Sequence, residues 1–218
     1  MQEFNLEVIR LQPGSHPDSP DGCLMEWVAL MAGAVKTDRP RCINELVTSV
    51  AIHLNDALDE VSRQRLKAFL PLLLRARRSP ADGRIGVRMA IWAAMSIAES
   101  VPERLRPVHD RAVQAAAARL SGSADDAVCR AAAVAAAEAG AKARNIALYV
   151  AADAAHAAGA DDPYAGTVNA VSGAVRWILR HGDPLAWFGE FLTEHAAALL
   201  DEAGVPRVLE GDLVCSPA

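Results

Sequence analysis

The chain has 218 residues, of which 52% are hydrophobic and 22% are charged, and its formal net charge is -5. This balance is ordinary for a globular protein and argues against intrinsic disorder. The negative net charge gives no electrostatic footprint for nucleic acid, so no nucleic-acid partner is expected.

The first ten residues, MQEFNLEVIR, contain acidic side chains and lack the apolar run of a signal peptide. The alanine-rich region 128–158 is interrupted by charged residues, so it is not a membrane span. We therefore expect a cytoplasmic protein without a membrane contact. In that compartment the four cysteines are expected to be reduced thiols, and a disulfide between Cys23 and Cys42 is the alternative.

Taken in order, the chain is predicted to form an irregular N-terminal segment over residues 1–21, an α-helical domain over residues 22–204 and a tail over residues 205–218. Prolines and glycines punctuate the first segment. Abundant alanine and an aromatic content of only 5% favour helix almost everywhere after it. The predicted fold is all-α, a single-domain bundle or array of about eight helices. A helical solenoid is the alternative, although no fixed repeat period is present.

The first helix is predicted over Cys23–Val35, where Glu26 is the only charged residue. Apolar residues cover every side of it, which is typical of a helix in the middle of a protein. At about 100° per residue, Glu26 lies beside an apolar stripe. The stripe comprises Cys23, Trp27, Leu30 and Ala34. Glu26 should therefore be partly buried, and a buried carboxylate must accept hydrogen bonds, pair with a cation or take up a proton.

The second helix is expected to be capped by Asp38, with Pro40 in its first turn. A third helix over about residues 62–76 is expected to kink at Pro71. Later helix starts are indicated by Ser79-Pro80-Ala81-Asp82, by Ser100 with Glu103, by Ser123 with Asp126, by Asp161-Asp162-Pro163 and by Asp183-Pro184. The alanine-rich segment is expected to break near Gly140, and the last helix is expected to stop at Gly204.

Glu26 beside Cys23 is the best candidate for chemistry. One interpretation is a carboxyl with a raised pKa that performs acid–base catalysis. The other is a structural ion pair with Arg39, Arg41 or Arg88. A thiol at a helix start is favoured to ionise, so Cys23 could act as a nucleophile or ligand, or be a small buried apolar residue.

A metal site built from Cys23, Cys42, His53 and a carboxylate is a further alternative. The spacing of these residues matches no zinc-binding pattern. No metal and no cofactor is therefore predicted.

The motif runs Cys23-Leu-Met-Glu26-Trp27, then Gly33, then Thr37-Asp38-Arg-Pro40-Arg-Cys42, and an Asn55-Asp56 pair follows. It resembles a pattern in uncharacterised actinobacterial proteins, C-x2-E-[WY]-x5-G-x3-[ST]-D-x-P-x-C, and covers roughly residues 22–76. Where those relatives end the third helix with Gly-Thr, this chain has Arg75-Ala-Arg-Arg78. The resemblance implies no activity, but it implies that Cys23, Glu26, Asp38, Cys42, Asn55 and Asp56 act as a set.

The leading hypothesis is a helical enzyme or enzyme-complex subunit that acts on a small molecule, in specialised (natural-product) metabolism if the resemblance holds. Glu26 would be the acid–base group, Cys23 the thiol or its neighbour, and Asp38 with Asp56 the orienting carboxylates. The alternative is a non-catalytic α-helical interaction module, whose alanine-rich second half docks a partner and whose motif is structural core. The partner is thus a small-molecule substrate or a protein, in a homo- or hetero-oligomer.

Overall fold

The computed structural model describes residues 6–16 and 18–203 of the chain. It is 71% helical, and its described residues form no strand, only the isolated bridges Leu11–Gly22 and Ile43–Arg77. The predicted all-α fold is confirmed. None of the described helices combines the length and apolar character needed to cross a membrane. The predicted tail over residues 205–218 lies outside the described residues.

The chain divides into two compact units. Unit 1 combines Met1–Pro80 with Pro184–Ala218, and unit 2 is Ala81–Asp183. The predicted extent of one helical domain, residues 22–204, stays a prediction.

Unit 1 contains five α-helices in its described part. They are α1 (Leu24–Met31), α2 (Glu45–Ala57), α3 (Glu60–Arg65), α4 (Leu70–Leu73) and α10 (Pro184–Ala203), with α5 to α9 in unit 2. A 3-10 turn over Leu66–Phe69 joins α3 to α4. Pro71 lies in the first turn of α4, where its missing N–H is tolerated, so the predicted third helix is divided rather than merely kinked.

Helix α1 ends four residues earlier than predicted, at Met31 rather than Val35. Gly33 adopts a left-handed φ of 74°, its N–H donates to Leu30, and the N–H of Ala34 donates to Ala29. This pair of hydrogen bonds defines a Schellman C-cap, in which glycine is the favoured residue because it has no Cβ. Gly33 of the motif therefore terminates the helix instead of continuing it.

The cap of α2 is Asn44, and the prediction of Asp38 at this position is wrong. The side-chain oxygen of Asn44 accepts from the N–H groups of Leu46 and Val47, at 3.0 and 3.2 Å. The N–H of Asn44 itself donates to the carbonyl of Ala76 at 2.7 Å. That tertiary hydrogen bond holds the backbone extended just before the helix, so the helix begins six residues later than a cap at Asp38 would place it.

Aromatic rings pack on α10, one pair joining it to the 3-10 turn before α4 and another lying along α10 itself. Phe69 meets Phe188 edge to face, with ring centroids 5.2 Å apart, and Trp187 stacks on Phe191 at 5.4 Å. Phe188 and Phe191 are fully buried. Such pairs bury large apolar areas in specific geometries, so they fix how the C-terminal helix packs within unit 1.

Unit 2 places one alanine-rich helix inside four others. Its helices are α5 (Asp82–Ser96), α6 (Arg106–Leu120), α7 (Asp126–Ala143), α8 (Ile146–Ala158) and α9 (Tyr164–His181). Helix α8 packs against each of α5, α6, α7 and α9. The alanine-rich segment breaks at Arg144, which is left-handed, and not near Gly140 as predicted. Asn145 then caps α8 by accepting from the N–H of Leu148 at 3.2 Å.

Helices α8 and α9 approach closely because α9 presents glycine at two contact positions. A Cβ added at Gly166 would lie 3.0 Å from the backbone nitrogen of Ala157, and one added at Gly173 would lie 2.7 Å from Val150 Cγ2. Neither distance is tolerated by a real Cβ without movement of the neighbour. At Gly166 the neighbour is helix backbone, so the movement would involve a whole helix.

Gly166→Ala should therefore destabilise the protein, by about 1–3 kcal/mol, as overpacking typically does. Gly83→Ala is the matched control, because its nearest neighbour is a side-chain atom of Pro163 at 3.4 Å. It should leave the unfolding free energy unchanged or raise it by at most about 1 kcal/mol through helix propensity. Urea denaturation measures both, and equal effects of the two substitutions would contradict the close approach.

Candidate functional site

Glu26 is the fully buried centre of the predicted site, with an exposed fraction of 0%. It occupies the third position of α1, and Cys23 precedes the helix as its N-cap residue. Glu26 Oε2 accepts a hydrogen bond from the backbone N–H of Cys23 at 2.7 Å. This is the reciprocal half of a capping box, which satisfies a backbone donor that the helix leaves free.

The second oxygen of Glu26 binds a segment that precedes the helix. Oε1 accepts from the backbone N–H of His16 at 2.6 Å and from Ser15 Oγ at 3.2 Å. The buried carboxylate is thus satisfied by three donors. No arginine is among its hydrogen-bond partners, so the predicted ion pair with an arginine is wrong.

Lys36 complements Glu26 from the other side of the same segment. Its Nζ donates to the carbonyl oxygens of His16, Ser19 and Asp21, at 2.6, 2.5 and 2.5 Å. The Glu26 carboxylate therefore accepts a hydrogen bond from a backbone N–H group of this segment, and the Lys36 ammonium donates to three of its carbonyl groups. Sequence reasoning missed Lys36, although a single lysine after the C-cap glycine of an apolar helix was the available signal.

The pKa of Glu26 is lowered, which contradicts the expectation of a raised value. Burial by itself raises the pKa, but the N–H groups of Cys23 and His16 lower it, followed by the Ser15 hydroxyl and the positive charge of Lys36. The hydrogen bonds and charge together outweigh the burial. Glu26 is consequently ionised at neutral pH.

Cys23 is a buried free thiol, exposed by only 2%. Burial raises the pKa of its thiol to about 12, and the charge of the nearby Glu26 carboxylate adds to this rise against the backbone hydrogen bonds that lower it. The helix start does not yield a thiolate, and the interpretation of Cys23 as a small buried apolar residue agrees with its burial. The thiol is protonated at neutral pH.

Asn55 and Asp56, at the end of α2, bind the same N-terminal backbone. The Asn55 amide donates to the carbonyl of Gln12 at 2.8 Å, and its oxygen accepts from the N–H of Leu24 at 3.2 Å. Asp56 Oδ1 accepts from the N–H of Gly14 at 2.7 Å and from the Asn55 amide at 3.1 Å. Asn55 is fully buried, whereas Asp56 is exposed. The pair joins the start of α1 to the segment before it.

Helix α3 and the turn after it complete these contacts. Gln64 pairs with both backbone groups of Leu11, at 3.0 and 2.8 Å, and Lys67 Nζ donates to the carbonyl of Ile9 at 3.0 Å. Ile9 and Leu11 are buried apolar anchors. We call residues 9–16 and 18–22 the docked segment, because three helices and the turn after α3 hold it. Gln64 and Lys67 were not predicted, and on a helix they carry no distinguishing signal.

The remaining motif residues do not join this cluster. Asp38 is half-buried in the chain between α1 and α2, and it shares no hydrogen bond with Glu26, Cys23 or Asp56. Cys42 is disulfide-bonded, so the expectation of four reduced thiols is wrong, and its bond is not to Cys23, which is free. Within residues 6–16 and 18–203, no three His, Cys, Asp or Glu side chains are grouped to hold a metal ion. The alternative metal site is therefore not assembled.

Comparisons of the chain with protein-family models, with curated proteins and with solved structures find no match. The resemblance of the Cys23–Cys42 motif to actinobacterial proteins stays a prediction. A function for this chain must therefore be inferred from the geometry of its own residues.

Glu26→Gln should lower the unfolding free energy by about 1–3 kcal/mol, because its NH2 group would face a buried backbone N–H that then lacks an acceptor. Glu194→Gln is the matched control, since Glu194 is an exposed glutamate of α10 in the same unit. It should change stability by at most about 0.5 kcal/mol. Urea denaturation at neutral pH compares the two variants with the wild type.

The pH dependence of this difference follows from the lowered pKa. The stabilisation by ionised Glu26 is complete above the ordinary pKa of the group and is lost as the pH falls through the lower pKa of the folded state. The gap in stability between wild type and Glu26→Gln should therefore shrink in acid. A gap that is absent at neutral pH, or that widens on acidification, would contradict the assigned hydrogen bonds.

Proposed function

We propose that this protein is a non-catalytic α-helical binding module, in which the Cys/Glu/Asp motif belongs to the folded core. The observation that carries the proposal is that both oxygens of Glu26 accept hydrogen bonds from the chain itself. An acid–base catalyst must come within hydrogen-bond distance of a substrate proton. Glu26 is fully buried, already bonded and ionised, so it has no proton to give and no free access to a substrate.

The other predicted catalytic residues, Cys23, Asp38 and Asp56, also support a structural role of the motif. The thiolate is the nucleophilic form of cysteine, and a thiol with a pKa of about 12 supplies almost none of it at neutral pH. Oδ1 of Asp56 already accepts hydrogen bonds from Gly14 and Asn55 of the chain itself. Asp38 lies apart from this cluster. These contacts support a structural role for the four predicted residues.

The cluster of Glu26, Lys36 and Asn55 holds the docked segment in place, and this structural role is enough to explain it. Ordering each residue of the docked segment costs about 1–2 kcal/mol of backbone entropy. The segment has few apolar anchors, chiefly Ile9 and Leu11, so burial alone offsets little of that cost. Polar contacts from Glu26, Lys36 and Asn55 supply the remainder and satisfy its backbone groups.

The enzyme hypothesis requires a larger rearrangement. For Glu26 to reach a small molecule, the backbone at Ser15 and His16 would have to leave it, and the carbonyl contacts of Lys36 would have to break. Each of these changes would leave a buried charge or a buried polar group without a hydrogen-bond partner, which costs folding free energy. Binding of a partner through other surfaces leaves the hydrogen bonds of Glu26 and Lys36 intact. We favour the binding module over the enzyme for that reason.

The test is the reactivity of Cys23 towards iodoacetamide, followed for each cysteine by peptide mass spectrometry. At neutral pH its alkylation in the folded protein should be slower by about a thousandfold or more than that of an exposed thiol of ordinary pKa. Ser123→Cys provides that exposed thiol, because Ser123 is exposed in the turn between α6 and α7.

Denaturation in urea should abolish the difference, which shows that the protection comes from folding. Alkylation of native Cys23 as fast as that of the Ser123→Cys thiol would overturn the structural role. It would restore Cys23 and Glu26 as an enzyme site.

A further inference from the structure

Unit 2 contains a basic cleft that is separate from the Glu26 cluster. Its volume is about 280 Å³, and no acidic side chain lines it. Its lining includes Arg144, Asn145, Arg176, Trp177, Arg180 and His181. These residues come from the α7–α8 junction and from the last turns of α9, all within unit 2. The cleft therefore shares no residue with the Glu26 cluster, which belongs to unit 1.

The positive charges of the cleft are not neutralised by the chain around them. Arg144, Arg176 and Arg180 are exposed, and none of their guanidinium groups forms a hydrogen bond or ion pair with another described residue. The acidic group that Arg176 influences is Asp153, a half-buried carboxyl of α8 outside the lining. Three guanidinium groups and a histidine thus face one cavity in a protein of net charge -5. Like charges gathered in one cleft repel each other unless an anion joins them.

The start of α8 adds to this field. Ile146, the first residue of the helix, also lines the cleft. The Asn145 side chain satisfies the N–H of Leu148, and the earlier N–H groups of the first turn have no acceptor within the helix. A helix start carries a partial positive charge that favours anions. It reinforces the arginines but would not by itself make a site.

Arg144 contributes its charge from an unfavourable backbone conformation. Its φ is 52°, and it is the only non-glycine residue with a positive φ in the described part of the chain. Glycine or asparagine is the usual residue at such a helix end, because a Cβ is crowded there. An arginine thus occupies a position at the cleft whose backbone would suit a smaller residue better.

We propose that this cleft binds the phosphate group of a small phosphomonoester whose planar ring lies against Trp177. A phosphomonoester carries nearly two negative charges and three acceptor oxygens, so it can engage several guanidinium groups, which bind phosphate through paired N–H donors. A carboxylate has one charge and would occupy one arginine. Trp177 is half-buried, with its ring 5.1 Å from that of His181, and offers an aromatic surface beside the charges. The volume restricts the ligand to a small molecule.

Isothermal titration calorimetry of the full chain at low salt tests the proposal with three probes: phenyl phosphate, inorganic phosphate and benzoate. Phenyl phosphate should bind most tightly, because it offers both the dianion and the ring. Inorganic phosphate should bind more weakly, and benzoate at least tenfold more weakly than phenyl phosphate. Benzoate binding as tightly as phenyl phosphate would overturn the assignment to phosphate.

Three variants locate the binding. Arg176→Ala with Arg180→Ala should weaken phenyl phosphate binding at least tenfold, and Arg144→Gly should weaken it several-fold while circular dichroism shows an unchanged fold, since glycine suits a positive φ. Arg130→Ala is the control, because Arg130 is an exposed arginine of α7 outside the cleft, and it should bind like the wild type. Absence of phenyl phosphate binding at millimolar concentration, or equal weakening by Arg130→Ala and the double substitution, would refute the site.

Discussion

The described part of unit 1 depends on one constraint: a carboxylate placed inside an apolar helix must be satisfied by the chain. Glu26 is fully buried, and its three donors come from Ser15, His16 and Cys23. Two of these donors lie in a segment with too few apolar side chains to stay folded by burial alone. The N–H and hydroxyl groups of the docked segment satisfy the Glu26 carboxylate, and the carboxylate in turn holds the docked segment in place. Each arrangement therefore depends on the other.

The two units are stabilised by different means. Unit 1 uses charged side chains to complete backbone hydrogen bonding. Half-buried Lys36 binds three carbonyls, and buried Arg63 binds the carbonyls of Asn55 and Leu58 at the end of α2. Unit 2 uses small residues, with Gly166 and Gly173 letting α9 approach α8. Arg144, Arg176 and Arg180 of unit 2 are exposed at the basic cleft, where they are available to a ligand.

The sequence predicted what periodicity and composition encode: the helical class and the burial of Glu26. It predicted a kink at Pro71, whereas the third helix is interrupted before that residue, at the 3-10 turn Leu66–Phe69. It could not predict the partners of Glu26 or Lys36, because hydrogen bonds to an irregular segment follow no period. Asn55 and Gln12 are 43 positions apart, and Gln64 and Leu11 are 53 apart. Gly33 was misread because glycine is tolerated inside a helix as well as at its end. The basic cleft was missed because Arg144 and Arg176 meet only after α8 and α9 pack.

The pKa of Glu26 decides whether an ionised carboxylate holds the docked segment in place. It can be measured from the pH titration of the side-chain carboxyl carbon by NMR, with the resonance assigned through Glu26→Gln. Three hydrogen bonds and the charge of Lys36 favour the ionised form more than burial opposes it. We therefore predict a pKa below the ordinary value of a glutamate. A pKa above that value would show that burial outweighs these hydrogen bonds and this charge, and it would contradict the role of Glu26 as the charged centre of unit 1.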